Sequence, residues 1–360
     1  MSEQKHILVL GAGVIGLQTA ISLLQTGYDV TVLAEHLPGD TSVEYTSPWA
    51  AAMWRSNGLP HEHEIQAWDR ESYQLWLRSC IRPKLQDTPI GATPPKGSSI
   101  TGVPMRLLWT GQHEFIPNGP ESIWYAPHVQ NFRVLEPTEL PRPFVCGAIH
   151  DGIAINTNFY LISLASTIRA LGGRIIRASL PTGGGLPQAI IAAETIVQSN
   201  RGIQHPVDLF VNATGLGART LVPDPDVYPI RGQTVTVRGE AKHITTMFYP
   251  DANASITPRV GSGVSVLGST YQVGNWDRNP DPEVTRTILD RCKALGPELL
   301  NDDGEFDVVS VDVAFRPGRT GGPRVELEEI VVAAAEGGRK DCSETRTRIV
   351  CHEYGHAGGG

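Results

Sequence analysis

The residues His6 to Leu10 run straight into Gly11-Ala12-Gly13-Val14-Ile15-Gly16, and the chain continues as a helical stretch from Val14 to Gln25. A short apolar strand, a glycine turn and a helix in that order open a βαβ unit that holds a dinucleotide. Gly11 permits the tight turn, Gly13 lets backbone approach a pyrophosphate, and Gly16 allows close packing of the helix, whose N-terminus stabilises the negative charge. Gly27 stops the helix, and a second strand, Val30 to Leu33, leads to Glu35 and His36. A carboxylate at Glu35 accepts from the ribose hydroxyls of an adenosine and repels a 2′-phosphate, so NADP is disfavoured and NAD and FAD both stay open.

Composition narrows the class. At 360 residues and 39.0 kDa, the chain suits two intimately joined domains. Its formal charge of −8 is spread without blocks of like charge, which leaves a nucleic-acid binder without its electrostatic footprint. Cys80, Cys146, Cys292, Cys342 and Cys351 are scattered with no CxxC pair, so a reducing compartment is expected and a zinc site is not. His61 and His63 lack a further ligand set and read as a solvated helix start. No apolar run reaches the roughly 18–20 residues of a membrane span. MSEQK leads directly into a strand and not into a signal peptide, so a soluble protein is expected.

Further along, TSVEYTSPWAAAMW reads as loop entering a short helix, and HEHEIQAWDRESYQLWLRS as an amphipathic helix ending near Arg82 and Pro83. Residues 84 to 150 are rich in Pro and Gly with short β-like pieces. A helix from Asn158 to Leu171, the strand RIIRA and the buried strand of DLFVNATGLGA follow. Several strands between 230 and 270 precede a helix from Pro282 to Leu295 and the strands DVVSVDVAF, PRVELE and TRIVCHE. The expected fold is α/β, a Rossmann-like FAD-binding domain with a second α+β substrate domain on a mixed or antiparallel sheet. The expected division assigns 1–55, 150–225 and 320–360 to the cofactor domain and 56–149 and 226–319 to the substrate domain.

Over nearly its whole length the chain resembles the D-amino-acid oxidase family of flavoproteins. The motifs that carry this are GAGVIGL, SPWAAAMW (Ser47 to Trp54), VNATGLGA, RGQTV, GSTYQVGNWD and, most specific, FRPGRTGGPRVE (Phe315 to Glu326). The resemblance implies FAD, with Thr46, Ser47, Ala52 and Met53 along the flavin, Ala178, Thr214 and Gly215 near the adenosine half, and Trp276 beside the cofactor. It implies that Ala357, Gly358 and Gly360 of HEYGHAGGG approach the flavin. Arg316 would hold the substrate carboxylate through its planar fork and border the cofactor, Tyr271 would donate to the same carboxylate, and Gly358 would offer backbone to the amine. Met53 and Ser255 complete the expected substrate contacts. The implied chemistry is hydride transfer from Cα to flavin, with O2 as final acceptor and a 2-oxo acid, ammonia and H2O2 as products. It obliges no side-chain acid or base.

The chain also departs from the family. Ser255 stands where a second tyrosine is usual before I-x-P-R, and Tyr249 is the expected substitute. Relatives selective for D-aspartate carry arginine at the place of Tyr271, so neutral D-amino acids are expected, with Arg55 the alternative cation for acidic substrates. A glycine or sarcosine type of oxidase and an FAD-binding protein with little activity are further alternatives. Glu353 replaces a small or amide residue, and Cys342 and Cys351 are expected as free thiols. Relatives continue past the glycine turn into a flavin-supporting helix and often a peroxisomal tripeptide, whereas Gly360 ends this chain, implying weaker FAD affinity than in a longer form. By resemblance the compartment is peroxisomal and a homodimer is common.

Overall fold

The computed structural model describes residues 4–56, 58–59, 61–80, 99–111, 119–200, 206–249, 253–333 and 345–358. Its strands are β1 (His6–Leu10), β2 (Asp29–Ala34), β3 (Ala52–Met53), β4 (Ile100–Trp109), β5 (Arg133–Val134), β6 (Cys146–Ile155), β7 (Arg174–Arg177) and β8 (Leu209–Asn212), then β9 (Val227–Arg238), β10 (Ile244–Phe248), β11 (Asn253–Arg259), β12 (Val264–Gly268), β13 (Gln272–Val273), β14 (Val308–Arg319), β15 (Arg324–Ala333) and β16 (Thr345–Tyr354). The helices are α1 (Val14–Gln25), α2 (His63–Ser79), α3 (Thr157–Ala170), α4 (Gly185–Ser199), α5 (Ala218–Leu221) and α6 (Pro282–Lys293).

All of β1 is buried, as a strand covered on both faces by helices must be. It pairs in parallel with β2 on one side and β8 on the other, within a six-stranded sheet ordered β15-β16-β8-β1-β2-β7. Only β15 runs antiparallel to its neighbour, β16. Leu8 and Leu10 pack towards α4 with Ala189, Ile190 and Ala193, while Val9, Val30 and Val32 point to the opposite face and join Leu17, Ala20 and Ile21 of α1.

A ten-stranded sheet follows the path β13-β9-β12-β11-β10-β4-β6-β3, with β14 on β9 and β5 on β6. Period-2 alternation splits its faces. Val235, Val237, Met247, Ala254, Ile256 and Leu267 pack against Ile288 and Cys292 of α6. Met105, Leu107, Trp109, Ile244 and Phe248 face the other way, in one core with Val9, Val30 and Val32 of the first sheet. The second sheet thus turns one face towards the dinucleotide unit. No described helix is long and apolar enough to cross a membrane.

Two local readings need correction. SPWAAAMW does not lead into a helix: a short 3-10 turn, Ser47–Trp49, gives way to β3, because Ala52 and Met53 find backbone partners in Ile155 and Ala154. Helix α4 was not expected: no element is predicted between RIIRA and DLFVNATGLGA. Gly184 turns ahead of it, at φ 89°, and Pro187 is tolerated because the first helical turn needs no amide from it. The expected end of α2 at Arg82 and Pro83 lies outside the described residues.

Buried Glu194 of α4 receives Arg346 and, at 2.6 Å, Arg348 from β16. Glu194→Leu should lower unfolding free energy by about 3 kcal/mol, the low end for breaking a buried pair, because both guanidinium groups reach solvent in part. Urea denaturation measures it, and an unchanged midpoint would contradict the assignment.

Candidate active site

From β1 the chain passes through α1 to β2 and outward to β7, whereas β8 lies on the other side of β1. That reversal leaves a crevice beyond the strand C-termini where ligands of doubly wound sheets bind. Gly11 has φ +109°, and a Cβ there would stand 2.4 Å from the Ala213 carbonyl oxygen, so the turn closes only without a side chain. A Cβ at Gly16 would lie 2.1 Å from the Gly11 oxygen. Buried Tyr45 donates to the Ala12 carbonyl at 2.6 Å, and the Val14 amide donates to Ser47 Oγ at 3.0 Å. Gly13 and Ile15 complete the turn at an α1 N-terminus whose first turn has no acidic residue, leaving its partial positive charge for an anion.

At the end of β2, Glu35 is exposed and its carbonyl accepts from Arg177 Nη1 at 3.1 Å. Ala178 is drawn alongside by its amide, which donates to the Ala34 carbonyl at 3.0 Å. Arg177 also forks onto Asp40 and holds that carboxyl down at about 2. His36 lies against Tyr45 at 6.2 Å between ring centroids, and its buried Nε2 has no hydrogen-bond partner among the described residues.

The second cluster starts on β14. Arg316 Nη1 donates to the Thr270 carbonyl at 3.2 Å and Nη2 to Ser269 Oγ at 2.6 Å, while its guanidinium lies 5.9 Å from the Tyr271 ring centre. Burial lowers its pKa, with Tyr271 opposing. Arg174, Arg177 and Arg319 are matched by Asp29, Asp40 and Asp224, but among the described residues no carboxylate pairs with Arg316. A Cβ at Gly232 would lie 2.5 Å from Nη1 and one at Gly358 3.6 Å from Cδ, so two glycines flank this side chain. Only Gly232 leaves the guanidinium no room for a Cβ; at Gly358 a Cβ would make ordinary contact with the Arg316 stem.

Short contacts join the two clusters. Thr46 Oγ1 donates to the Phe315 carbonyl at 2.6 Å, next to Arg316, while Ser47 holds the start of α1. A Cβ on Gly215 would touch Pro317 at 3.7 Å, and the Ala357 amide donates to the Pro317 carbonyl at 2.8 Å. The glycine turn, SPWAAAMW, VNATG, FRPGR and the C-terminal residues therefore surround one crevice. Thr214, following β8, starts the 3-10 turn Gly215–Gly217 there.

A family model described as FAD dependent oxidoreductase matches residues 6–358. A D-amino-acid oxidase of Schizosaccharomyces pombe is 32% identical over 91% of this chain and 88% of its own, and one of Fusarium vanettenii is 31% identical over 98% and 92%. The chain belongs to the D-amino-acid oxidase family of FAD-dependent oxidoreductases. The crystal structure of a glycine oxidase from Bacillus cereus shares the fold, with TM-score 0.65 and 17% identity over 99% of this chain and 91% of that one.

FAD is the cofactor of this family enzyme, and the crevice fits it. Gly11 and Gly16 leave a cradle that a Cβ would fill, and a helix N-terminus with no acidic residue in its first turn meets it. His36 Nε2 and His356 Nε2 are buried without a partner among the described residues, orphaned polar atoms of the kind a bound group can satisfy. Burial lowers the His356 pKa, favouring the neutral ring.

Other expected residues fall as follows. Trp276 packs on Phe315 at 5.8 Å. Met53 sits on β3 with Sδ accepting from Thr246 Oγ1 at 3.8 Å. Ser255 is buried and donates to the Gly268 carbonyl. Tyr249 does not stand in for the absent tyrosine: it packs with the α6-side cluster, on Phe144 at 5.8 Å and under Arg291 at 4.7 Å, whereas Ser255 alternates away from that face. Arg55 stacks on Phe248 at 5.5 Å. Glu353 accepts from Thr19 Oγ1 of α1 at 2.7 Å, and burial raises its carboxyl pKa. His61 and His63 join no group of three metal-ligating side chains among the described residues. Cys351 is a free thiol, while Cys342 and Gly360 lie outside the described residues. Sequence reading missed Gly232, Ser269 and Thr270 as supports of Arg316. A glycine inside the strand RGQTV was the available signal, since it marks close approach of another group.

Proposed function

We propose that the enzyme oxidises D-amino acids, neutral side chains preferred, with water and O2 consumed and a 2-oxo acid, ammonia and H2O2 released. The observation that carries this is Arg316, a partly buried cation flanked by two glycines and, among the described residues, bonded only to neutral groups. Such a fork is completed by a carboxylate, each charge-assisted bond contributing about 1.5–3 kcal/mol. Tyr271, 66% exposed beside the guanidinium, donates its hydroxyl to the same carboxylate. Gly358 supplies backbone instead of a side chain where the amine comes to lie. Bound FAD supplies the acceptor for the hydride leaving Cα. It would be held by Gly11, Ala12, Gly13, Val14, Ile15 and Gly16 at the pyrophosphate, by Glu35, His36, Ala178, Thr214 and Gly215 towards the adenosine, and by Thr46, Ser47, Ala52, Met53, Arg316 and Ala357 towards the ring. The protein's own contribution is then orientation and exclusion of water.

We assign 1–55, 150–225 and 320–360 to the FAD-binding unit and 56–149 and 226–319 to the substrate unit. The first sheet lies wholly in the former, while β3 and residues 150–155 of β6 run from it into the second sheet. An anaerobic panel of D-amino acids, their L-isomers, glycine and sarcosine tests the proposal, with bleaching of the flavin spectrum expected for neutral D-isomers. Bleaching by L-isomers or sarcosine alone would overturn it.

A second reading, selectivity for D-aspartate and D-glutamate, rests on Arg55, a half-buried cation close behind β3 with its pKa lowered chiefly by burial. If Arg55 meets a side-chain carboxylate, Arg55→Ala should cut kcat/KM for D-aspartate about tenfold or more and spare D-alanine. Equal loss on both substrates would remove that role.

A further inference from the structure

His352 on β16 and Asn212 on β8 are register partners and both are completely buried. The Thr214 amide can only donate, so the Asn212 atom facing it at 3.3 Å is Oδ1, which also accepts Thr214 Oγ1 at 2.7 Å. Asn212 Nδ2 then points at His352 Nδ1, 3.2 Å away. An amide NH2 cannot accept, so Nδ1 carries no proton. The ring proton sits on Nε2 and is donated to Glu328 Oε2 at 2.8 Å. Donors and acceptors leave one solution for the whole chain.

We infer that His352 is a positioning residue of the FAD site, holding the Asn212 amide in the orientation that shapes the Thr214 turn and the Ala213 carbonyl beside Gly11. This rests on the reading of Thr214 as a cofactor contact. A second proton on the imidazole sets N–H against NH2, and Asn212 must flip or move. Thr214 then loses both of its bonds to Oδ1, and the turn bordering the pyrophosphate glycines relaxes. Protonation of His352 and FAD binding therefore oppose one another.

The charged groups around the ring come mainly from β15. Glu328 and Glu326 favour the imidazolium, Arg324 opposes it while bonding both glutamates, and burial, the largest influence, also opposes it. On β16 the Tyr354 ring meets the imidazole edge-on at 5.7 Å, its hydroxyl engaged by Asp224 and Arg324. Asp224 also pairs with Arg319, and Arg219 of α5 is engaged by the carbonyls of Pro225 and Val227. From β8 the neutral Asn212 faces the ring. The neutral form thus prevails at neutral pH and gives way in acid.

The test titrates FAD into flavin-stripped full-length protein, read by flavin fluorescence quenching from about pH 8 to about pH 5, where histidine titrates. The wild-type dissociation constant should rise about tenfold or more towards acid. His352→Asn keeps an acceptor for Asn212 but no titrating proton, and should lose most of the rise, leaving the smaller part that His36 and His356 contribute. Glu328→Gln removes a charge that favours the imidazolium, so its midpoint should move to lower pH. An unaltered profile in His352→Asn, or a midpoint unmoved or raised in Glu328→Gln, would overturn the inference. Glu328 is at the sheet's outer edge, so this arm decides even if His352→Asn does not fold. Nitrogen-15 shifts should show the Nε2–H tautomer, and an Nδ1–H tautomer overturns the inference without reference to FAD. Thr214→Val separately tests the underlying reading: unchanged FAD affinity would reject Thr214 as a cofactor contact, whatever the pH profiles show.

Discussion

Arg316→Ala should lower kcat/KM for a neutral D-amino acid by about 10²- to 10³-fold while the purified protein stays yellow, since truncating one member of a desolvated, hydrogen-bonded charge pair costs about 2–5 kcal/mol. The loss falls mainly on substrate because Arg316 is one of many proposed cofactor contacts and the glycine turn, Ser47 and Thr46 stay in place; Thr46 bonds the backbone of Phe315. Arg316→Lys should recover only a small part. An ammonium has no planar fork to fill the slot between Gly232 and Gly358, and it cannot bond Ser269, Thr270 and a bidentate carboxylate in one plane. Steady-state kinetics with the flavin absorbance recorded on the same sample reads both halves. Activity within about threefold of wild type would remove Arg316 from the substrate site, a change under 1 kcal/mol being too small for a desolvated ion pair.

Gly11→Val should leave a folded but colourless protein. The position has φ +109°, where a branched side chain is strained, and its Cβ would stand 2.4 Å from the Ala213 oxygen, a backbone atom without a flexible end to yield. Relief must come from moving the β1 turn or the end of β8, and either shift spoils the approach of backbone to the pyrophosphate. A loss of FAD affinity of about 10³-fold or more is expected, about 4 kcal/mol or more. Equilibrium dialysis with FAD measures it, and circular dichroism checks that the sheets persist. Retention of flavin at wild-type affinity would show that the cofactor does not lie against this turn.

The parts of the fold that were legible are those whose cause is local. Val14–Gln25 is bounded by Gly13 and Gly27, and the pleat of β1 and β2 shows as apolar runs, so periodicity and turn chemistry suffice there. Helix α4 was hidden because its glycine-rich approach carries a turn signal, and because its apolar face becomes meaningful only once Leu8, Leu10 and Phe210 lie beneath it. SPWAAAMW was misread for a similar reason: β3 exists through pairing with β6, which no local preference announces. The role of Tyr249 was decided by the face of the sheet on which it falls.

By itself the sequence determined a dinucleotide-binding βαβ start, a family membership and a set of motifs in which Arg316 and the glycines stand out. It did so because glycine turns and strand-helix periodicity act over a few residues. Only the tertiary structure decided what surrounds those residues. β14 against β9 places Gly232 under the Arg316 guanidinium, and the returning C-terminal strand brings Gly358 against Arg316 and His352 against Asn212. Such contacts join segments from opposite ends of the chain, and their geometry depends on strand register and burial, which no short window of residues encodes.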